Sequence, residues 1–271
     1  MRFFSHTRIQ WATKSVVIQT LVALRNGKEE LLQLPAPDAE VVPGVPWGRP
    51  EQIFSPAFWA MQAWYDEPIG RFARYRLGHD LKEEVTACIL GGFGMPAEMG
   101  LLAFNRIRER GLLQSTPRRE SQILEALAEP WKLGGRHVKY RFPKQRGKFV
   151  ANALTRLEKE TPPLANDIAF RDWLTGFDGI GPKTASWITR NHLDSDNVAI
   201  LDIHVFRAGV LAGVFDSRAS VSRSYAALEA SLIAFARGLR VRLAILDTMI
   251  WCQMRHLSSL ALRTLATEPF F

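Results

Sequence analysis

The stretch GFDGIGPKTASWITRN (176–191) constrains this chain more than any other. Amphipathic segments stand on both sides of the turn, FRDWLTGF (170–177) and PKTASWITRNHL (182–193). Gly176, Gly179 and Gly181 tolerate positive φ, which lets the chain reverse tightly between them. Pro182 presets φ for a new helix and gives up an amide that would have found no partner there. The spacing predicts a hairpin of two helices over 170–193. The amides of Gly179, Gly181 and Lys183 then point out of a helix N-terminus, where they suit an anion such as a nucleic-acid phosphate. An ordinary αα-turn has the same spacing. Lys183 falls in the first helical turn, where the macrodipole disfavours a cation. Destabilising the ammonium there frees the amine as a nucleophile.

Nineteen residues on, NVAILDIHVF (197–206) carries an apolar run that delivers Asp202 to the start of another helix. Asp202 is expected to cap that helix by accepting amides of its first turn. A carboxylate fixed in this way can also stabilise a developing positive charge. His204, two residues on, reads as a satisfied histidine on that helix.

The other segments fall into two styles. TKSVVIQTLVAL (13–24) is apolar and β-branched, and periodicity leaves it as a strand or a short helix. LPAPDAEVVPGVPWGRP (34–50) holds prolines at 35, 37, 43, 46 and 50, which forbid a regular helix and predict an extended loop. Ser55 and Pro56 mark a helix start over 55–65. From about residue 80 helical patterning dominates, with helices predicted over 81–92, 95–111, 121–131, 147–160, 203–213, 222–239 and 242–257 besides the hairpin. No strand is predicted after residue 30, and no repeat at solenoid spacing occurs.

With 271 residues, 47% apolar and 23% charged, the chain suits one globular domain or two intimately packed halves. It shows no spanning apolar run and no secretory leader, so it is expected inside the cell, in cytoplasm or nucleoid, without membrane association. The net charge of +8 points to an anionic partner. Positive charge concentrates between 132 and 160, where nine basic residues face only Glu158 and Glu160. Tyr140 and Phe142 are interleaved with them. Such a segment is either a phosphate-binding loop beside a disrupted base stack or a solvated cationic loop. The two cysteines, Cys88 and Cys252, sit in apolar settings and read as buried thiols. They cannot make a four-cysteine zinc or iron–sulfur site.

Glycine-hydrophobe-glycine-x-lysine, followed by aspartate-x-histidine after a short apolar run, resembles the helix–hairpin–helix DNA glycosylase superfamily. KTASWITRN (183–191) and NVAILDIHVFR (197–207) are most similar to the type-2 8-oxoguanine DNA glycosylases. MPAEMGLLAFNRI (95–107), YRFPKQRGKFVANA (140–153) and LDTMIW (246–251) agree, so the match spans about 81–255.

The resemblance implies a mainly α fold. A six-helix barrel would come from roughly 95–210, with a second helical layer from the segments before 95 and the helices after 215. It divides the chain into a β or irregular extension, 1–70, and a glycosylase domain, 71–271. The implied activity is that of a bifunctional glycosylase and abasic-site lyase acting on 8-oxoguanine in double-stranded DNA. Lys183 would attack C1′ of an extruded nucleotide and form a Schiff base, and Asp202 would stabilise the oxocarbenium-like transition state. Gly179, Gly181, His204, Arg141, Lys144, Arg146 and Lys148 would contact phosphates. Trp187, Trp251 and Phe271 would line the base pocket. The implied enzyme is a monomer without a cofactor, although hairpin carbonyls at Gly179 and Gly181 could hold a monovalent cation.

Three departures from the family pattern stand out. Trp187 replaces a smaller or polar side chain, Asp178 replaces a proline, and the chain carries extra residues at both ends, finishing in Phe270 and Phe271. The altered pocket leaves open the same chemistry on another modified base, such as a bulky modification of invading DNA. A helix–hairpin–helix module that binds DNA without catalysis is the third reading; such a module needs neither Lys183 nor Asp202.

Overall fold

The computed structural model describes residues 18–25, 27–66, 76–92, 94–114 and 119–267. The chain opens with an antiparallel hairpin, β1 (Gln19–Arg25) and β2 (Lys28–Leu34), in which Leu21 pairs with Leu32. The stretch left between strand and helix is therefore a strand from Gln19 onward; residues 13–17 lie outside the described residues. The proline-rich segment is mostly irregular, as expected. It nevertheless holds two very short paired strands, β3 (Glu40–Val42) and β4 (Val45–Pro46). Helix α1 (Pro56–Asp66) begins where Ser55 and Pro56 predict, and the Phe58 amide donates to Ser55 Oγ at 3.1 Å.

Six helices follow: α2 (Leu81–Leu90), α3 (Ala97–Glu109), α4 (Arg119–Ala128), α5 (Pro143–Lys159), α6 (Asp167–Thr175) and α7 (Pro182–Leu193). They share one core around Phe104, Ile107, Leu127, Phe170, Leu174 and Ile188. A second core joins α1 to α8 (Ile203–Leu211), α9 (Tyr225–Leu239) and α10 (Leu243–Thr267), around Trp59, Leu232, Phe235, Leu246 and Met249. Burying each such side chain stabilises the fold by about 1.5–3 kcal/mol. Residues 34–63 contribute Leu34, Trp47, Phe54 and much of α1 to this second core. No helix among the described residues is long and apolar enough to cross a membrane.

Two expectations need correction. The expected grouping of 95–210 shifts: α2 packs inside the first core, while α8 turns Val205 and Ala208 into the second, joined by Ala212 at its end. The chain thus crosses from one core to the other between α7 and α8. Strands also occur after residue 30. Besides β2, β3 and β4, a hairpin of β5 (Trp131–Leu133) and β6 (Arg136–Val138) turns through Gly134 and Gly135, both at positive φ. Arg106 anchors this hairpin. Its guanidinium lies 3.3 Å from the centre of the Trp131 ring and donates to the carbonyls of Ala126 and Glu129.

Candidate active site

The turn between α6 and α7 is built on buried apolar anchors. Phe177 and Ile180 point into the first core, and the Ile180 amide donates to the Phe177 carbonyl at 3.0 Å. Of the three glycines, Gly179 alone has positive φ, +81°. A Cβ there would also stand 2.7 Å from the Phe149 ring, so position 179 requires glycine on two counts. Gly176 ends α6 at φ −78° and Gly181 precedes α7 at φ −91°, both ordinary values. Gly181 is exposed with open space beyond its Cα, which leaves the start of α7 accessible. No side chain caps that helix start, and Pro182 occupies its first turn. Lys183 is exposed and makes no ion pair among the described residues.

The crossing run, residues 198–201, is buried and has no strand partner. A buried segment outside any helix or sheet must find hydrogen-bond partners elsewhere. Side chains of α9 and α10 supply them. The Ala199 amide donates to Glu229 at 2.9 Å, and Tyr225 donates its hydroxyl to the Ala199 carbonyl at 2.7 Å. The Ile200 amide donates to Asp247 at 3.2 Å, and the Leu201 amide to the Tyr225 oxygen at 3.3 Å. The same two acids reach back to the hairpin. Glu229 takes hydrogen bonds from Ser186 at 3.4 Å and Arg171 at 2.8 Å; Asp247 pairs with Arg190. Helix α7 and the run leading to Asp202 are therefore locked to common partners.

Asp202 caps α8 as expected, its Oδ1 accepting the amides of His204 at 2.8 Å and Val205 at 2.9 Å. Its other oxygen has no hydrogen-bond partner among the described residues. His204 is half-buried, and its Nδ1 is buried without a partner among the described residues.

Lys183 and Asp202 line one cavity of about 350 Å³ between the two cores. Trp187 and Trp251 form aromatic walls, and Arg190, Asp247 and Thr248 its polar lining. Arg190 also donates to Thr248 Oγ1 at 2.9 Å. Burial pushes the Asp247 carboxyl up to about 6, against the opposing pull of the Arg190 guanidinium and the Ile200 amide. A cavity of this size and lining suits a flat heterocycle.

Beside it lies a more open cavity of about 640 Å³, bordered by the hairpin glycines Gly179 and Gly181 and by Arg146, Phe149 and Met95. Lys183 and Trp187 line this one as well. The Trp187 indole donates to Glu84 at 3.2 Å. Glu84 is itself buried and accepts the amides of Leu77 at 2.7 Å and Gly78 at 2.9 Å.

The basic segment 132–160 is not a loop. It is the β5–β6 hairpin followed by α5, because Pro143 starts a helix that carries most of the charge. Arg141, Lys144 and Lys148 are exposed near the start of α5, while Arg146 is buried against the larger cavity. Arg141 donates to the Gly94 carbonyl at 3.0 Å. Tyr140 is no stacking platform: it is buried and donates its hydroxyl to the Leu90 carbonyl at 2.6 Å. Burial pushes that phenol up. Cys88 is buried, whereas Cys252 is only half-buried; neither forms a disulfide. Phe270 and Phe271 lie outside the described residues.

Glu84, Arg190, Tyr225, Glu229 and Asp247 had no role in the sequence reading. Their signal is an ionisable residue on the apolar face of a helix, as in LDTMIW and ALEASLIAF. Such residues are rarely buried unless paired.

Helical elements in two cores, with a hairpin and an aspartate-capped helix meeting at their junction, define the fold of a helix–hairpin–helix glycosylase. The 8-oxoguanine DNA glycosylase family model matches residues 69–241, and the chain belongs to that family. Solved structures agree in fold. The 8-oxoguanine DNA glycosylase of Thermotoga maritima superposes with a TM-score of 0.55 at 21% identity, over 76% of this chain and 97% of that one. The Methanocaldococcus jannaschii 8-oxoguanine DNA glycosylase gives 0.51 at 24% identity, over 71% and 87%. The M. jannaschii glycosylase/lyase in complex with a 15mer DNA containing 8-oxoguanine gives 0.52 at 21% identity, over 73% and 98%. No curated protein matches the chain.

Proposed function

We propose that this chain excises 8-oxoguanine from double-stranded DNA and then cleaves the abasic strand, using Lys183 as nucleophile. One observation carries the reading: Lys183 from the hairpin helix and Asp202 from the opposite core line a single cavity. A base inside a duplex cannot reach such a cavity, so the nucleotide must flip out of the stack. Its base enters between Trp187 and Trp251. The Lys183 amine gives its proton to water and forms a bond to C1′ as the bond from C1′ to the base breaks, and the electron pair of that bond leaves with the base. Positive charge develops on the sugar, and the fixed Asp202 carboxylate stabilises it. The product rearranges to a Schiff base, and β-elimination cleaves the strand on the 3′ side. The turn through Gly179 and Gly181 that leads into α7, together with Lys144 and Lys148, meets the phosphates.

The test is a single-turnover assay on duplexes that carry 8-oxoguanine or guanine at one position. Free 8-oxoguanine and a β-elimination product from the first duplex alone are the expected result. Equal neglect of both duplexes would overturn the substrate assignment.

A further inference from the structure

The two cavities share a wall. Trp187, one helical turn after Lys183, lines the 350 Å³ cavity on one side and the 640 Å³ cavity on the other. Its position is held from two directions. The indole N–H is fixed on buried Glu84, and the Arg190 guanidinium stands 5.9 Å from the ring centre. Glu84 cannot swing away cheaply, because its carboxylate also satisfies the amides of Leu77 and Gly78. A large ring in a braced position divides space that a small side chain would leave continuous.

We infer that Trp187 is a partition that sets the upper size of the base this enzyme accepts, by closing the smaller cavity off from the larger. The inference rests on the glycosylase reading and deepens it. Behind the partition the larger cavity presents Leu77, Met95 and Phe149, an apolar and partly aromatic wall, with Gln145 and Arg146 as its polar side. Without the indole, the joined space suits a purine enlarged by a bulky aromatic substituent. The reaction itself is unchanged: the bond from C1′ to the enlarged base breaks as the bond to Lys183 forms.

The experiment measures single-turnover release of 8-oxoguanine and of a guanine carrying an aminofluorene group at C8, each from the same duplex sequence. Borohydride trapping on an abasic duplex is measured in parallel with the wild-type protein. The ratio of adduct release to 8-oxoguanine release is expected to rise about tenfold or more in Trp187→Ala, the scale on which pocket contacts discriminate. Trp187→Phe keeps a ring and loses the N–H, and is expected to raise the ratio less. It also decides the matter if the alanine variant does not fold. Glu84→Gln offers one acceptor oxygen where the carboxylate uses two, so it frees either the indole N–H or the Leu77 and Gly78 amides and is expected to raise the ratio, though less than Trp187→Ala. Wild-type trapping with an unchanged ratio in both tryptophan variants would overturn the partition alone. Absence of 8-oxoguanine release by the wild-type protein would overturn the glycosylase reading, and the partition with it; release without trapping would remove the lyase step alone.

Discussion

At Asp202 one carboxylate serves a helix and a cavity together, and substitution can separate the two roles. Asparagine caps a helix about as well as aspartate, so Asp202→Asn should leave the melting temperature nearly unchanged. On the proposed mechanism it removes the charge that would face the sugar, and turnover is expected to fall roughly 10²–10³-fold, as for other groups aimed at a developing charge. Asp202→Ala should add a loss of about 1 kcal/mol in stability, read from urea unfolding. Full turnover in the asparagine variant would remove Asp202 from the chemistry. Gly179→Ala tests the turn. Its φ of +81° and the Phe149 ring both oppose a Cβ, and a cost above about 1 kcal/mol is expected. The sequence shows Lys183, Gly179 and Asp202 plainly, because glycine turns and helix caps are local chemistry. It does not show what holds Trp187, since Glu84 lies more than a hundred residues away.

Among the elements, the run 198–201 does the most to position the site, and it is not an element at all by hydrogen-bond pattern. Its backbone is satisfied by Tyr225, Glu229 and Asp247. Asp247 makes this device sensitive to pH. Burial raises its carboxyl from 3.8 to about 6. Between those values the folded chain keeps a proton that the unfolded chain has released. The stability contributed there is full below the ordinary carboxylate range and is lost as pH rises through about 6. Asp247→Asn cannot ionise and should flatten that decline. Urea midpoints between about pH 4 and pH 7 for both proteins check it, and parallel curves would contradict it. Helix α7 was legible to the residue, because proline marks its start and periodicity its body. Helix α10 runs ten residues past its expected end at 257, where no glycine or proline stops it. The β5–β6 hairpin went unread because its strands are only three residues each, although the Gly-Gly turn was visible.

At the scale of the molecule, two cores make a cleft and charge brings DNA to it. A net charge of +8, with Lys144 and Lys148 exposed beside the hairpin, should make binding strongly salt-dependent. Replacing both lysines by glutamine should lower the slope of log affinity against log salt by about 2, measured by fluorescence anisotropy on an undamaged duplex. An unchanged slope would place the phosphates elsewhere. Fold class was readable from helical patterning, but the pairing of residues 34–63 with α8, α9 and α10 was not. That pairing depends on which apolar faces meet, which periodicity does not specify. On the proposed mechanism, Lys183 attacks the sugar from the junction of the cores. The most direct measurement is borohydride trapping on an 8-oxoguanine duplex, with the covalent adduct digested and mapped by mass spectrometry. The expected result is one nucleotide-bearing peptide, attached through Lys183, that disappears in Lys183→Gln. An adduct on another residue, or one that survives the substitution, would contradict it.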